Sequence, residues 1–223
     1  MLTYIDFGEY RIDFSLKGVP RVSKFIERPA EMAELERVLL PERQCYRQKI
    51  LVLHGLGGIG KTQLAVEFAS QHRRKFSAIF WLDGGSRGNL LQSIASCASR
   101  IPEGQISQSS RIYSASSDGD INIVVQEVIR WLAQEDNTTW LLIFDNVDRD
   151  YSGHNPDPDA YDVMHYFPGA DHGSVLITTR LAKLGQLGGS QQLGKVDQDQ
   201  ARAILQTRYK TKYGKYRLYH IDI

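Results

Sequence analysis

The segment 51–69 constrains the fold of this chain more than any other part. A short apolar run with strand character, Leu51-Val52-Leu53-His54, ends at Gly55, and three more glycines precede Lys61 and Thr62. Apolar residues at helical spacing follow directly. A strand, a turn of the form G-x4-G-K-[ST] and an amphipathic helix together predict a loop that binds phosphate.

The residue types in this loop suit an anionic ligand. Glycines permit positive φ, so successive N–H groups can point at oxygen anions, and the helix N-terminus adds donors and a positive dipole end. Lys61 offers a full charge to the β- and γ-phosphates, and the Thr62 hydroxyl is a ligand for Mg²⁺. We predict that the nucleotide-binding residues of the loop are Gly55, Gly57, Gly58, Ile59, Gly60, Lys61, Thr62 and Gln63.

Chain length and patterning predict one α/β domain with extensions. The chain has 223 residues, and its strand-like runs alternate with helical patterns, which favours a parallel sheet with helices on both faces. We therefore predict a three-layer α/β/α fold with a mainly parallel five-stranded sheet. We predict a linker over residues 1–24, a nucleotide-binding domain over 25–205 and a tail over 206–223.

Charge and cysteine content exclude several classes of protein. Lys and Arg number 27 against 26 Asp and Glu, for a net charge of +1, so no dedicated nucleic-acid or membrane surface is expected on charge alone. Cys45 and Cys97 lack metal-ligand spacing, which is typical of reduced intracellular thiols. No apolar run approaches the roughly 18 residues of a membrane span, so we expect a cytoplasmic protein without a membrane partner.

Two later segments complete a candidate site. Residues 140–144 form an apolar run that ends at Asp145, the position from which a carboxylate would hold Mg²⁺ opposite Thr62. Residues 173–179 form another apolar run that precedes Arg180. Arg180 would either contact a γ-phosphate or form a structural salt bridge. Between these strands and helices, the Ser-rich segment 102–120 is predicted to be a flexible surface loop.

The order of these motifs resembles the nucleotide-binding domain of NB-ARC proteins, in the STAND group of signalling NTPases, including fungal NOD-like members. The resemblance runs from about Phe25 to Leu205. It rests on Phe25-Ile26-Glu27-Arg28 ahead of the domain, on the Walker A loop, on Leu142-Ile143-Phe144-Asp145 as Walker B, and on Ile177-Thr178-Thr179-Arg180 as the sensor strand.

The resemblance implies a switch in which ADP holds a closed state and ATP favours an open state that oligomerises. It places Arg28 near the nucleotide, Lys61 and Thr62 on phosphate and Mg²⁺, Asp145 on Mg²⁺, and Arg180 on the γ-phosphate. The cofactors that it implies are ATP or ADP together with Mg²⁺.

Two positions depart from the family pattern. Glu27 stands where the family usually has glycine, so the backbone near the adenine would differ. Asn146 stands where many members carry a second acid, and an amide cannot accept the proton of the attacking water. Asp148, two residues further on, is the candidate substitute. We expect tight nucleotide binding with slow or absent hydrolysis.

The residues after Leu205 do not show the Gly-Leu-Pro-Leu and Met-His-Asp signatures of the family's closing subdomains. They form a basic, tyrosine-rich stretch, and interleaved cations and aromatics can also bind single-stranded nucleic acid. We expect instead the aberrant terminus of a truncated product.

Three functions remain open. The first is an adenine-nucleotide-binding switch module, and the second is an active ATPase or phosphotransferase of the phosphate-loop class. The third is a fragment that acts without nucleotide by pairing with full-length relatives. Partners would accordingly be adenine nucleotide and, through self-association or pairing, related chains.

Overall fold

The computed structural model describes residues 8–20, 22, 25–42, 47–113, 119–151, 157–196, 198 and 200–205. The predicted tail 206–223 lies outside the described residues. Five strands form one sheet with only parallel pairings, in the order β2-β3-β4-β1-β5. The strands are β1 (Lys49–His54), β2 (Ile79–Asp83), β3 (Leu141–Asp145), β4 (Ser174–Thr179) and β5 (Gly189–Gln192).

Helices connect the strands and cover the sheet on both sides. The α-helices are α1 (Pro29–Leu39), α2 (Lys61–His72), α3 (Arg87–Cys97), α4 (Gln108–Arg111) and α5 (Ile121–Leu132). Short 3₁₀ helices occur at Gly8–Tyr10, Ala98–Arg100, Val163–Tyr166 and Ala182–Leu187.

Alternating strand residues divide the core into two apolar layers. Val52 packs with α3 and α5 on one face of the sheet, whereas its neighbours Leu51 and Leu53 pack with α1 and α2 on the other. All three side chains are fully buried, as expected for a parallel strand covered on both faces. The predicted three-layer α/β/α fold with a five-stranded parallel sheet is therefore confirmed.

The strand order determines where a ligand can bind. β1 lies beside β4, yet the chain after β1 leads to β2 at one edge and the chain after β4 leads to β5 at the other. The two connections run in opposite directions on opposite faces of the sheet, and doubly wound folds bind ligands at the carboxyl ends of such strands. The phosphate loop after β1 and Arg180 after β4 both lie at these carboxyl ends.

The part of the Ser-rich segment at residues 102–113 is more ordered than its composition predicts, and residues 114–118 of the predicted loop lie outside the described residues. Residues 108–111 form α4, Ser107 Oγ accepts a hydrogen bond from the Ser110 N–H, and Ser110 is buried. Glu127 of α5 accepts hydrogen bonds from the Ser107 N–H and hydroxyl. The loop prediction was wrong for this turn because serines that cap a helix resemble solvated loop residues in composition.

The N-terminal segment packs against the domain. The Ile12 N–H donates to Ser77 O, Arg100 donates to Asp13 O, and Leu16 is buried. Residues 8–20 therefore contribute to the same folded body as the sheet. No helix within the described residues combines the length and apolar character needed to cross a membrane.

Candidate nucleotide-binding site

The phosphate loop joins β1 to α2 and depends on its first and last glycines. Gly60 precedes α2 in the left-handed conformation, with φ of 102°, which lets the loop turn directly into the helix. Gly55 has φ of 149°, and a Cβ added there would lie 2.7 Å from the backbone oxygen of Leu193. The loop is thus held tightly against the residues that follow β5.

Lys61 lies inside the loop rather than on its surface. Its ammonium donates to Gly55 O at 2.8 Å and Leu56 O at 2.9 Å, and the residue is 8% exposed. Burial lowers the pKa of Lys61, while the Asp148 carboxylate acts in the opposite direction. A buried cation whose partners are neutral carbonyls is suited to bind an anion.

Thr62 and Asp145 meet at the carboxyl edge of the sheet, as the motif order predicts. The Thr62 hydroxyl donates to Asp145 Oδ1 at 2.9 Å, and the Thr178 hydroxyl donates to the same oxygen at 2.5 Å. Within the described residues Oδ2 of Asp145 accepts no hydrogen bond. A hydroxyl beside a carboxylate with an available oxygen fits the preference of Mg²⁺ for oxygen ligands.

Asp145→Asn is expected to make the nucleotide-free protein more stable at neutral pH. Burial raises the pKa of Asp145 above its ordinary value of 3.8, so ionisation is less favourable in the folded than in the unfolded chain. Asn keeps an oxygen that accepts from both hydroxyls and carries no charge. Thermal unfolding midpoints, compared from acidic to neutral pH, would measure the effect.

The stability gain of Asp145→Asn has a defined pH dependence. It is absent well below pH 3.8, where the carboxyl is protonated in both states. It develops as the pH rises toward the raised folded-state pKa and is complete above that value. The exposed Glu103 provides the control variant Glu103→Gln, and a less stable Asp145→Asn protein at neutral pH would contradict the prediction.

Asn146 adopts an unusual backbone conformation directly after Asp145. Its φ of 67° is positive, which asparagine tolerates better than most residues. The Asn146 N–H donates to the Thr178 hydroxyl at 2.9 Å. This turn carries the chain from β3 back across the end of β4 and brings Asp148 beside Arg180.

Asp148 and Arg180 form a two-point contact. Asp148 Oδ1 accepts from the Arg180 N–H at 2.6 Å, and Oδ2 accepts from Arg180 Nε at 2.5 Å. The Asp148 side chain is 9% exposed and that of Arg180 is 60% exposed. Both Asp148 oxygens already accept hydrogen bonds from Arg180. This arrangement favours Asp148 as a partner that holds Arg180 over Asp148 as the base that takes a proton from water.

Arg28 contacts the loop from the start of α1. Its guanidinium donates to Ile59 O at 3.1 Å and Gly194 O at 3.1 Å, and the residue is 6% exposed. A salt bridge to Glu31 accompanies these bonds. Arg28 therefore connects the start of α1 with the phosphate loop and with the segment after β5.

Gln63 connects the loop helix to the N-terminal segment. Its side-chain nitrogen donates to Pro20 O and its side-chain oxygen accepts from the Val22 N–H, both at 3.0 Å. Residues 17–20 in turn line a cavity of about 670 Å³ together with Thr62, Asp145 and Asn146. The N-terminal segment thus forms part of the cavity wall beside Thr62 and Asp145.

Asp83 is a carboxylate in this cavity that the motifs do not single out. It pairs in register with Asp145 on the neighbouring strand and lines the same cavity. The Gly85 N–H and the Asn89 side-chain amide each donate a hydrogen bond to one of its two oxygens. The sequence signal for Asp83 would have been an acidic residue at the end of an apolar strand. The Asp-Gly-Gly sequence at this position is, however, equally typical of an ordinary turn.

The fold and the site define a P-loop NTPase module that binds nucleotide. A curated nucleotide-binding leucine-rich repeat (NLR)-like protein from Hyaloscypha variabilis is 28% identical over 170 residues, which cover 71% of this chain and 16% of that protein. This relative confirms the resemblance to NB-ARC and NOD-like proteins. No family model matches the chain.

The fold matches that of a solved structure, Cdc6p. Cdc6p from Pyrobaculum aerophilum aligns with a TM-score of 0.54 at 16% identity, covering 93% of this chain and 54% of that chain. A STAND protein with a tetratricopeptide repeat sensor from Pyrococcus horikoshii aligns with a TM-score of 0.48 at 17% identity, covering 89% of this chain and 27% of that chain. This chain spans a minor part of its NLR-like relative.

Proposed function

We propose that this chain is the adenine-nucleotide-binding module of a STAND-type signalling switch, which holds ADP or ATP with Mg²⁺ and hydrolyses ATP slowly or not at all. The observation that carries the proposal is the Thr62 to Asp145 hydrogen bond of 2.9 Å. This bond joins the phosphate loop to the end of β3, so that the Thr62 hydroxyl and the Asp145 carboxylate would hold the same cation. The NLR-like relative supports the same class of function.

Each residue in the proposed site has a separate role. Lys61 and the N–H groups of residues 56–63 bind phosphate, whereas the Gly55 N–H donates to Thr179 O. Thr62 and Asp145 would hold Mg²⁺, which would neutralise charge on the phosphate oxygens. Arg28 shapes the loop from the entry side, where its bond to Ile59 O orients that peptide. Arg180 contacts the γ-phosphate.

Slow hydrolysis follows from the groups near the phosphate end. A carboxylate that accepts the proton of the attacking water would raise the rate of hydrolysis. The amide of Asn146 follows Asp145, and both oxygens of Asp148 are engaged by Arg180. The proposed switch would accordingly change state on nucleotide exchange, with self-association in the cytoplasm as its proposed consequence.

Nucleotide content and turnover test this proposal directly. We expect purified protein to retain about one ADP or ATP per chain after extensive washing, released by denaturation and identified by ion-exchange chromatography. We expect a turnover number well below the ~10 s⁻¹ that is typical of enzymes. Rapid multiple turnover would contradict the switch, and protein that neither carries nor takes up nucleotide would contradict binding.

One observation favours the alternative of an active ATPase or phosphotransferase. The cavity of about 670 Å³ adjoins the metal side of the site and contains Asp83 as well as Asp145, so it has room for a water or an acceptor and a second carboxylate. If the protein turns over rapidly, Asp83→Asn distinguishes this case. Loss of turnover with retained binding would then assign Asp83 as the base.

A further inference from the structure

Asp148 holds the backbone and the side chain of Arg180 at the same time. The N–H and Nε of Arg180 each donate to a different oxygen of the carboxylate. A guanidinium has five N–H donors, of which four lie on the two Nη atoms. Within the described residues, those Nη atoms donate no hydrogen bond, so the terminal fork of Arg180 is available to a ligand.

The side chain of Arg180 lies beside the phosphate loop. A Cβ added to Gly57 would lie 3.8 Å from Arg180 Cδ, which is the closest heavy atom to that position. Arg180 also lowers the pKa of Lys61 through its charge. Arg180 therefore lies next to Gly57 of the loop and close enough to Lys61 to act on the ammonium that would bind the β- and γ-phosphates.

Asp148 itself is fixed by the chain around it. The Val147 N–H donates to Thr178 O at 3.0 Å, and the Thr179 hydroxyl donates to Val147 O at 2.5 Å. These bonds attach the residues after β3 to the end of β4, so Asp148 does not depend on the exposed Arg180 for its location. The carboxylate is a rigid anchor, and the arginine is the group that it orients.

We propose that Asp148 is a positioning residue that holds the Arg180 guanidinium at the mouth of the phosphate loop, so that the site distinguishes a nucleoside triphosphate from a diphosphate. The inference rests on the proposed function and adds a specificity determinant to it. An exposed arginine without this anchor would have to lose its rotamer freedom on binding the γ-phosphate, which weakens that contact.

The ratio of two affinities measures this role. We would determine the dissociation constants of ADP and of the β,γ-imido analogue of ATP, both with Mg²⁺, for the wild type, Asp148→Ala, Arg180→Ala and the double variant. Arg180→Ala should reduce the preference for the triphosphate by roughly tenfold or more, as expected for a charge-assisted contact. Asp148→Ala should reduce it by about fivefold.

The double variant separates positioning from an independent effect. If Asp148 acts through Arg180, the double variant should equal Arg180→Ala, because the anchor has no function without the arginine. Asp148→Asn should resemble Asp148→Ala, since an amide offers one acceptor to the two donors of Arg180. Asp150→Ala is the matched control, because Asp150 pairs with Lys183 on the surface and should leave the ratio unchanged.

The outcomes distinguish this inference from the proposed function. A folded wild type that binds neither nucleotide overturns the proposed function and the inference together. A wild type that binds both, with an unchanged ratio in Asp148→Ala, overturns only the positioning role. Additive losses in the double variant, or a stronger preference for the triphosphate without Asp148, would also overturn it.

Discussion

Lys61→Ala is expected to weaken adenine-nucleotide binding by at least about a hundredfold, which corresponds to roughly 3 kcal/mol for a charge-assisted contact with phosphate. Lys61 is 8% exposed, and its ammonium donates to the loop carbonyls of Gly55 and Leu56, so a lysine on the protein surface could not take over its position. Isothermal titration of nucleotide-free protein with ADP and Mg²⁺ would measure the loss.

The stability of the Lys61 variant should fall little, if at all. Burial lowers the pKa of Lys61, which means that the folded state already disfavours the charge. Lys75→Ala, at an exposed lysine beyond the end of α2, is the control and should bind as the wild type does. Retained affinity in a folded Lys61→Ala protein would exclude the loop as the phosphate-binding element.

Gly173→Ala is expected to lower the free energy of unfolding by roughly 3–4 kcal/mol, the combined effect of overpacking and a left-handed backbone. Gly173 has φ of +79°, and an added Cβ would lie 2.2 Å from Trp140 Cε2. Trp140 cannot move aside easily, because it is fully buried and its indole N–H donates to Leu132 O at 2.6 Å.

The melting temperature provides the measurement for Gly173→Ala. For a chain of this size, the expected loss corresponds to about 10 °C. Gly104→Ala measures the cost of the left-handed backbone alone, because Gly104 has a similar φ of +85° but nothing within 4 Å of an added Cβ. The free energy of unfolding of that control should fall by only ~1 kcal/mol. An equal loss for the two substitutions would contradict the prediction, because it would show that Trp140 moves to accommodate the methyl group.

The sequence predicts those features that depend on neighbouring residues. The glycines and Lys61-Thr62 define the loop because backbone conformation there is set within eight residues, and the structure has β1 and α2 where the pattern places them. The start of α1 at Pro29 and the N-cap of α3 at Ser86 likewise depend on local residue types. The alternation of strand-like runs with helical patterns was sufficient to predict a sheet covered on both faces.

Features that depend on distant segments could not be predicted in this way. Nothing in the local pattern shows that Gln63 would bind the backbone near Pro20, 43 residues earlier, or that Asp83 would share a cavity with Asp145. The Ser-rich segment was misjudged for the same reason, since Glu127 of α5 holds Ser107 across 20 residues.

The amino-acid sequence by itself thus determined the phosphate loop, the position of Asp145 at the end of an apolar strand and the layered α/β architecture, because each arises from contiguous residues. Only the tertiary structure decided how these parts meet. Its strand order places β4 between β1 and β3. The chain after β3 therefore forms hydrogen bonds with the end of β4, and Asp148 accepts hydrogen bonds from Arg180 beside the loop. Packing and crossover connections set that order, and they involve residues too far apart in the chain to leave a local pattern.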